Sequence, residues 1–261
     1  MLTVQNLYFQ HTALPLLNGI NLHIKQGDLV TILGANGTGK STLLNCIAGI
    51  LAPQRGQVLL HDRPLSAMSN KEIARHIAYV SQLPPDTYQY CVRDYVVLGR
   101  AGHLGLFDRP GAQDYALVEN ALAKLSIAEL ADKIYMQLSG GQKQLVNIAK
   151  ILVQQPQLIL FDEPTSALDY GNVFKTLGLI KELAEQQFAI IMTTHNPDHP
   201  MLLSRHLPYS KVALLNRRGT LDVGAADDIL TQENLTALYH TDLHVLDVPL
   251  LERKICALKS I

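Results

Sequence analysis

Short, nearly unbroken apolar runs recur along the chain: LTVQNLYF, LVTILG, VLL, IAYV, LILF and AIIMTT, separated by stretches whose apolar positions fall three or four residues apart. Runs this short fit strands buried on both faces, and the intervening spacing fits amphipathic helices, so the pattern predicts an α/β domain built on a largely parallel sheet. In such sheets, sites collect at the carboxyl ends of the strands. Up to about residue 30, two strand-like runs come before any helical pattern, which predicts a small antiparallel element ahead of the parallel sheet.

Between Arg93 and Gln155 the texture changes. VRDYVVLG, DYALVENALAKL and QKQLVNIAKILV carry helical spacing with no convincing strand among them, and LILF at 158–161 returns to strand character. A single domain is therefore expected, with a core and its antiparallel element over 1–84 and 157–230, a helical insert over 85–156, and a helical tail over 231–261. There is no internal repeat and no low-complexity segment.

Composition narrows the function. Apolar residues make up 48% and charged residues 17%, enough for a large core, with a surface poor enough in charge to reserve part of itself for a partner. Lys plus Arg number 22 against 23 Asp plus Glu, and no long basic run supplies a grip on nucleic acid, which is disfavoured as a partner. Cys46, Cys91 and Cys256 lack metal-ligand or CxxC spacing and read as reduced, core-type thiols of a cytosolic protein. No apolar stretch reaches the roughly 18 residues of a membrane span, and MLTVQNLYFQ lacks the basic-then-apolar order of a leader, so any membrane role is expected to run through another protein.

The chemistry begins at GANGTGKST, Gly34 to Thr42, which follows LVTIL and opens a helical pattern. This satisfies the spacing GxxxxGK[ST] in a strand–loop–helix context. Gly34, Gly37 and Gly39, with Asn36 between them, allow the backbone N–H groups to converge on phosphate oxygens, and the helix start that includes Thr42 adds its partial positive charge. Lys40 is placed to neutralise β- and γ-phosphates, and Ser41 to hold Mg²⁺. LILF leads straight into Asp162 and Glu163, setting two carboxylates at a strand end; Asp162 reads as the Mg²⁺ partner and Glu163 as the group that polarises the attacking water. Such a pair is otherwise a solvated acidic turn. His195 closes AIIMTT at another strand end, where a lone histidine is otherwise a plain surface or core residue. Gln82 closes IAYV ahead of Pro84 and Pro85, either as a polar strand cap or as an amide that senses metal and water.

LSGGQ at 138–142 is a second donor-rich helix start in a chain that already owns a phosphate cradle. Taken in order, GANGTGKST, Gln82, LSGGQ, LILFDEP, SALD at 166–169 and His195 resemble the nucleotide-binding subunits of ABC transporters, over nearly the whole chain to about residue 245. The resemblance implies a P-loop NTPase (RecA-like) core, ATP and Mg²⁺ as ligands, and two cassettes packed head to tail, with Ser139, Gly140, Gly141 and Gln142 of one covering the γ-phosphate held by the other. It further implies that Asp162 and Gln82 serve Mg²⁺, that Glu163 is the general base, that His195 contacts the γ-phosphate, and that Asp169 links the two sites. Gln82 would couple nucleotide to the helical insert, and Pro84 to Arg93 is where a membrane permease would dock.

Two positions depart from the family pattern. His11 stands where an aromatic ring usually stacks on adenine, with Tyr8 and Phe9 nearby, and Lys150 stands where Arg is common. LGRAGHLGLFDRPGAQD, THNPDHPMLL and ILTQENLTALYH resemble the cassettes of metal-chelate importers, for siderophore iron, haem, cobalamin and related oxyanions. This implies a cassette on the cytoplasmic face of the cell membrane, bound to a permease that is served by a separate binding protein. The alternatives are a soluble ABC-type ATPase acting as a mechanical switch in DNA repair or translation, which usually carries a long coiled-coil insert or tandem cassettes, and a P-loop small-molecule kinase, which LSGGQ opposes.

Overall fold

The computed structural model describes residues 1–11, 15–80, 89–105, 107–166 and 168–258. Its first strands are β1 (Leu2–Phe9), β2 (Leu17–Ile24) and β3 (Leu29–Leu33), followed by helix α1 (Lys40–Ile47). β4 (Arg55–Leu60) and β5 (Arg63–Pro64) come next, then α2 (Asn70–His76) and β6 (Ile77–Val80). The expected antiparallel element is a four-stranded sheet ordered β2-β1-β4-β5, so half of it comes from beyond α1. Leu43, Leu44 and Ile47 of α1 are buried between this sheet and the parallel one, in a single core with Val4, Ile20, Val30 and Ile32.

Helices α3 (Val92–Val97), α4 (Ala112–Lys124) and α5 (Gly140–Gln154) pack on one another around Val96, Val118, Leu122, Val146 and Val153. β7 (Leu158–Phe161), α6 (Tyr170–Glu185), β8 (Ala189–Thr194), α7 (Asp198–His206), β9 (Lys211–Leu215) and β10 (Leu221–Ala225) complete the parallel layer. Its strand order is β10-β9-β3-β8-β7-β6, parallel except for β10. β3, β7 and β8 are buried at every position, because helices cover both of their faces. Leu33 lies beside Thr194, and Phe161 beside Met192 and Val80, so the strand ends that carry the motifs share one edge.

The tail differs from the helical expectation for 231–261. After α8 (Ala226–Ile229) and α9 (Gln232–Tyr239), strands β11 (Leu243–Val248) and β12 (Arg253–Leu258) form an antiparallel hairpin. Pro249 breaks any continuing helix, and Glu252 turns the chain with a φ of 49°, while Leu243 and Val245 point the strand's apolar side at the α9 core.

Candidate active site

β3 is buried to its last residue, and the chain leaves the sheet at Gly34. Gly39 precedes α1 with a φ of 98°, and a Cβ there would stand 2.9 Å from Leu16 Cγ, so both the backbone and the close approach require glycine. No side chain caps α1. The leading N–H groups of that helix, at Lys40, Ser41 and Thr42, therefore suit an external anion. Asn36, Gly37 and Ser41 are exposed, whereas Lys40 is buried. Its ammonium donates to the carbonyls of Gly34 at 2.9 Å and Ala35 at 3.2 Å, and pairs with Glu163 Oε1 at 3.0 Å.

The two acids are held by a neighbouring strand. Asp162 accepts from the Thr193 hydroxyl at 2.8 Å and from the Tyr79 phenol at 3.1 Å, and Thr193 Oγ1 accepts the Glu163 N–H at 2.9 Å. Burial and the Asp162 charge push the Tyr79 phenol well above its ordinary value, which keeps it a donor. Glu163 has a φ of 47°, a left-handed conformation that a non-glycine residue holds only where its surroundings impose it. Burial acts to raise its carboxyl, but the bond and charge of Lys40, followed by His195, outweigh it and hold the group below the usual glutamate range.

His195 Nδ1 meets Glu163 Oε2 at 3.0 Å, while half of its side chain stays exposed. Behind it, Thr194 Oγ1 receives the Asn196 N–H at 3.1 Å and lies 2.9 Å from Nδ1 of the buried His199. Lys40, Glu163 and His195 thus form one chain of polar contacts, with Asp162 anchored beside it.

The LSGGQ segment, the signature of the resemblance drawn above, stands apart from that cluster. Ser139 caps α5 by accepting the Gln142 N–H at 3.4 Å, Gln142 Oε1 in turn accepts the Ser139 N–H at 3.1 Å, and Ser139 and Gly140 remain exposed. Asp169 caps α6 through the Asn172 N–H at 2.8 Å, and a Cβ on Gly141 would meet Asn172 Oδ1 at 2.7 Å, so Asp169 and LSGGQ are neighbours within one chain. Among the described residues, no hydrogen bond or ion pair joins them to Lys40, Glu163 or His195. His11 is exposed, with its ring centroid 4.8 Å from that of Phe9 at an interplanar angle of 79°. Gln82, Pro84 and Pro85 lie outside the described residues.

Sequence reasoning passed over Tyr79, Thr193 and His199. One signal was present: AIIMTT ends an otherwise aliphatic buried strand in two hydroxyls, and buried hydroxyls need partners. Among the described residues, no group of three or more His, Cys, Asp or Glu side chains forms a metal cage. A single hydroxyl at Ser41 and a single anchored carboxylate at Asp162 suit Mg²⁺, which keeps waters and takes substrate phosphates as its remaining ligands.

A family described as ABC transporter matches residues 17–166. The molybdate import ATP-binding protein MolC of Haemophilus influenzae is 37% identical over 92% of this chain and 88% of its own length. The hemin import ATP-binding protein HmuV of Escherichia coli O157:H7 is 34% identical over 95% of this chain and 96% of its own. An inward-facing ABC transporter assigned to the metal-chelate type superposes with a TM-score of 0.83 at 33% identity, covering 99% of this chain and 98% of its own. A dimeric bacterial ABC transporter cassette gives a TM-score of 0.70 at 26% identity, covering 87% and 99%. The chain belongs to the ABC transporter family. It is an ATP-binding cassette of P-loop fold, and such cassettes are ATPases coupled to transport.

Proposed function

We propose that this cassette is the ATP-hydrolysing subunit of an importer for a metal chelate or a related oxyanion, working as a head-to-tail pair on the cytoplasmic side of a membrane permease fed by a binding protein. Importer relatives matched end to end support the direction of transport and the class of cargo. No helix among the described residues is long and apolar enough to cross a membrane.

The observation that carries the catalytic reading is the Lys40–Glu163–His195 chain, with contacts of 3.0 Å on each side of the carboxylate. ATP phosphates give Lys40 a stronger anionic partner than one carboxylate, and the move frees Glu163 Oε1. Glu163, raised in proton affinity by losing that cation, takes the proton of the attacking water as the bond between the γ-phosphorus and the bridging oxygen breaks, leaving ADP and phosphate. His195 would steady the carboxylate and face the γ-phosphate, Asp162 and Ser41 would hold Mg²⁺, which supplies neutralisation of phosphate charge when bound, and Gln82 would report its presence to the helical unit. Ser139 to Gln142 of the second copy close the site, with Asp169 beside them, and His11 lies against adenine.

Glu163→Gln tests the assignment. Steady-state ATP hydrolysis should fall about 100-fold or more, with nucleotide binding retained, because only the proton acceptor is lost. Turnover near that of the parent protein would remove Glu163 from the role of base.

A further inference from the structure

The carbonyl of His195 is occupied. Tyr239, the last residue of α9, donates its phenol to it at 2.6 Å, across 44 residues of chain. Within the strand-end loop the Asn196 N–H lies on Thr194 Oγ1 and the Asp198 N–H on Asn196 Oδ1, the Gly34 N–H holds the Thr194 carbonyl at 3.3 Å, and the Tyr239 phenol ties the carbonyl of His195 itself to α9. Tyr239 is itself fixed. Leu235 and Leu238 of α9 are buried in a cluster with Leu33, the residue before the phosphate loop, and with Met201 of α7. β12 holds the following residues, where the Cys256 N–H donates to Asp198 Oδ1 at 3.0 Å. Burial, then the neighbouring Cys256, push the Tyr239 phenol well above its ordinary value, so it stays a donor throughout the physiological range.

We propose that Tyr239 is a positioning residue for ATP hydrolysis: by holding the carbonyl of His195 it fixes the loop that keeps the imidazole on Glu163, and through it the C-terminal α9–β11–β12 unit sets the competence of the site. The proposal rests on the role given to His195 above. A histidine ring that is half exposed has little packing of its own to hold it. Its bond to Glu163 therefore depends on where the backbone is placed; β3 holds that backbone up to Thr194, and Tyr239 holds it at His195 itself from a buried scaffold.

Steady-state hydrolysis by the full-length cassette separates the two claims, using Tyr239→Phe, His195→Ala and the double variant. Tyr239→Phe keeps the ring and removes only the donor, so kcat should fall about 5-fold with KM for ATP changed by less than about 2-fold, the scale of one lost hydrogen bond in the transition state. Its thermal midpoint should match that of the parent protein, and in the His195→Ala background the same change should have no further effect. An undiminished kcat in Tyr239→Phe beside an impaired His195→Ala would overturn the proposal alone. So would an equal loss in both backgrounds, or a loss of kcat that follows a lowered thermal midpoint. Undiminished turnover in His195→Ala would overturn the role of His195 itself, and this proposal with it.

Discussion

Lys40 and Glu163 share a contact of 3.0 Å in a setting where their side chains are 5% and 15% exposed. A pair so shielded makes each partner costly to remove alone. His199 poses a related problem with only the Asp198 charge to offset it in part. Burial, then the charge of His195, lower it from 6.5 to about 4, and Asp198 only partly opposes them. The folded state therefore favours the neutral ring. The resulting stability is fully present above the unfolded value of 6.5 and is lost as pH falls toward about 4. Between pH 7 and pH 5 the site should account for a loss on the order of 2 kcal/mol of unfolding free energy. Urea titrations at the two pH values check this: His199→Asn, which keeps an acceptor for the Thr194 hydroxyl, should show a difference smaller by about that amount. Equal pH dependence in both proteins would show that His199 does not titrate on unfolding.

Among the elements, α5 joins the signature to the helical unit. The rings of Tyr95 in α3 and Tyr135, just ahead of the signature, stack with centroids 4.1 Å apart, and both phenols donate to Asn147 Oδ1 of α5, at 2.9 and 3.2 Å. Lys150, in the place of the more usual Arg, lies 4.7 Å from the Tyr95 centroid, and burial lowers its ammonium. Asn147→Ala removes the acceptor that the two phenols share, and should lower the unfolding free energy by about 1–2 kcal/mol in urea titration. An unchanged midpoint would mean that stacking alone holds α3 to the signature. The helical spacing of QKQLVNIAK made α5 legible in the sequence, and GANGTGKST, LSGGQ and LILFDE put Lys40 and Ser139 at helix starts and Glu163 at a strand end, where the fold has them. Asn147 and Tyr135 were not legible as a pair, because a local pattern fixes which face is buried but not which polar groups meet across it. The β11–β12 hairpin was hidden for a similar reason. LHVLDV and RKICAL are too short and too mixed for a period of two to separate from helical spacing, and only their pairing with each other decides the matter.

For the molecule as a whole, the tension is that Ser139 and Gly140 are exposed and, among the described residues, share no bond with the Lys40 cluster of their own chain. The head-to-tail pair proposed above would resolve it, since each phosphate loop would then meet the LSGGQ segment of the other copy, and the reverse contact would follow by symmetry. That arrangement predicts complementation between two inactive proteins. Lys40→Ala removes the phosphate-binding ammonium, and Ser139→Arg blocks the signature; each should abolish turnover alone. In a mixed dimer one site takes both defects, and the other combines the intact Lys40 of one copy with the intact Ser139 of its mate. Equal mixing should therefore restore about a quarter of normal ATPase activity if sites act independently, since half of the dimers are mixed and each has one working site of two. A site formed within one chain would be broken in every protomer of the mixture, and hydrolysis measured across mixing ratios would stay at the level of the single variants.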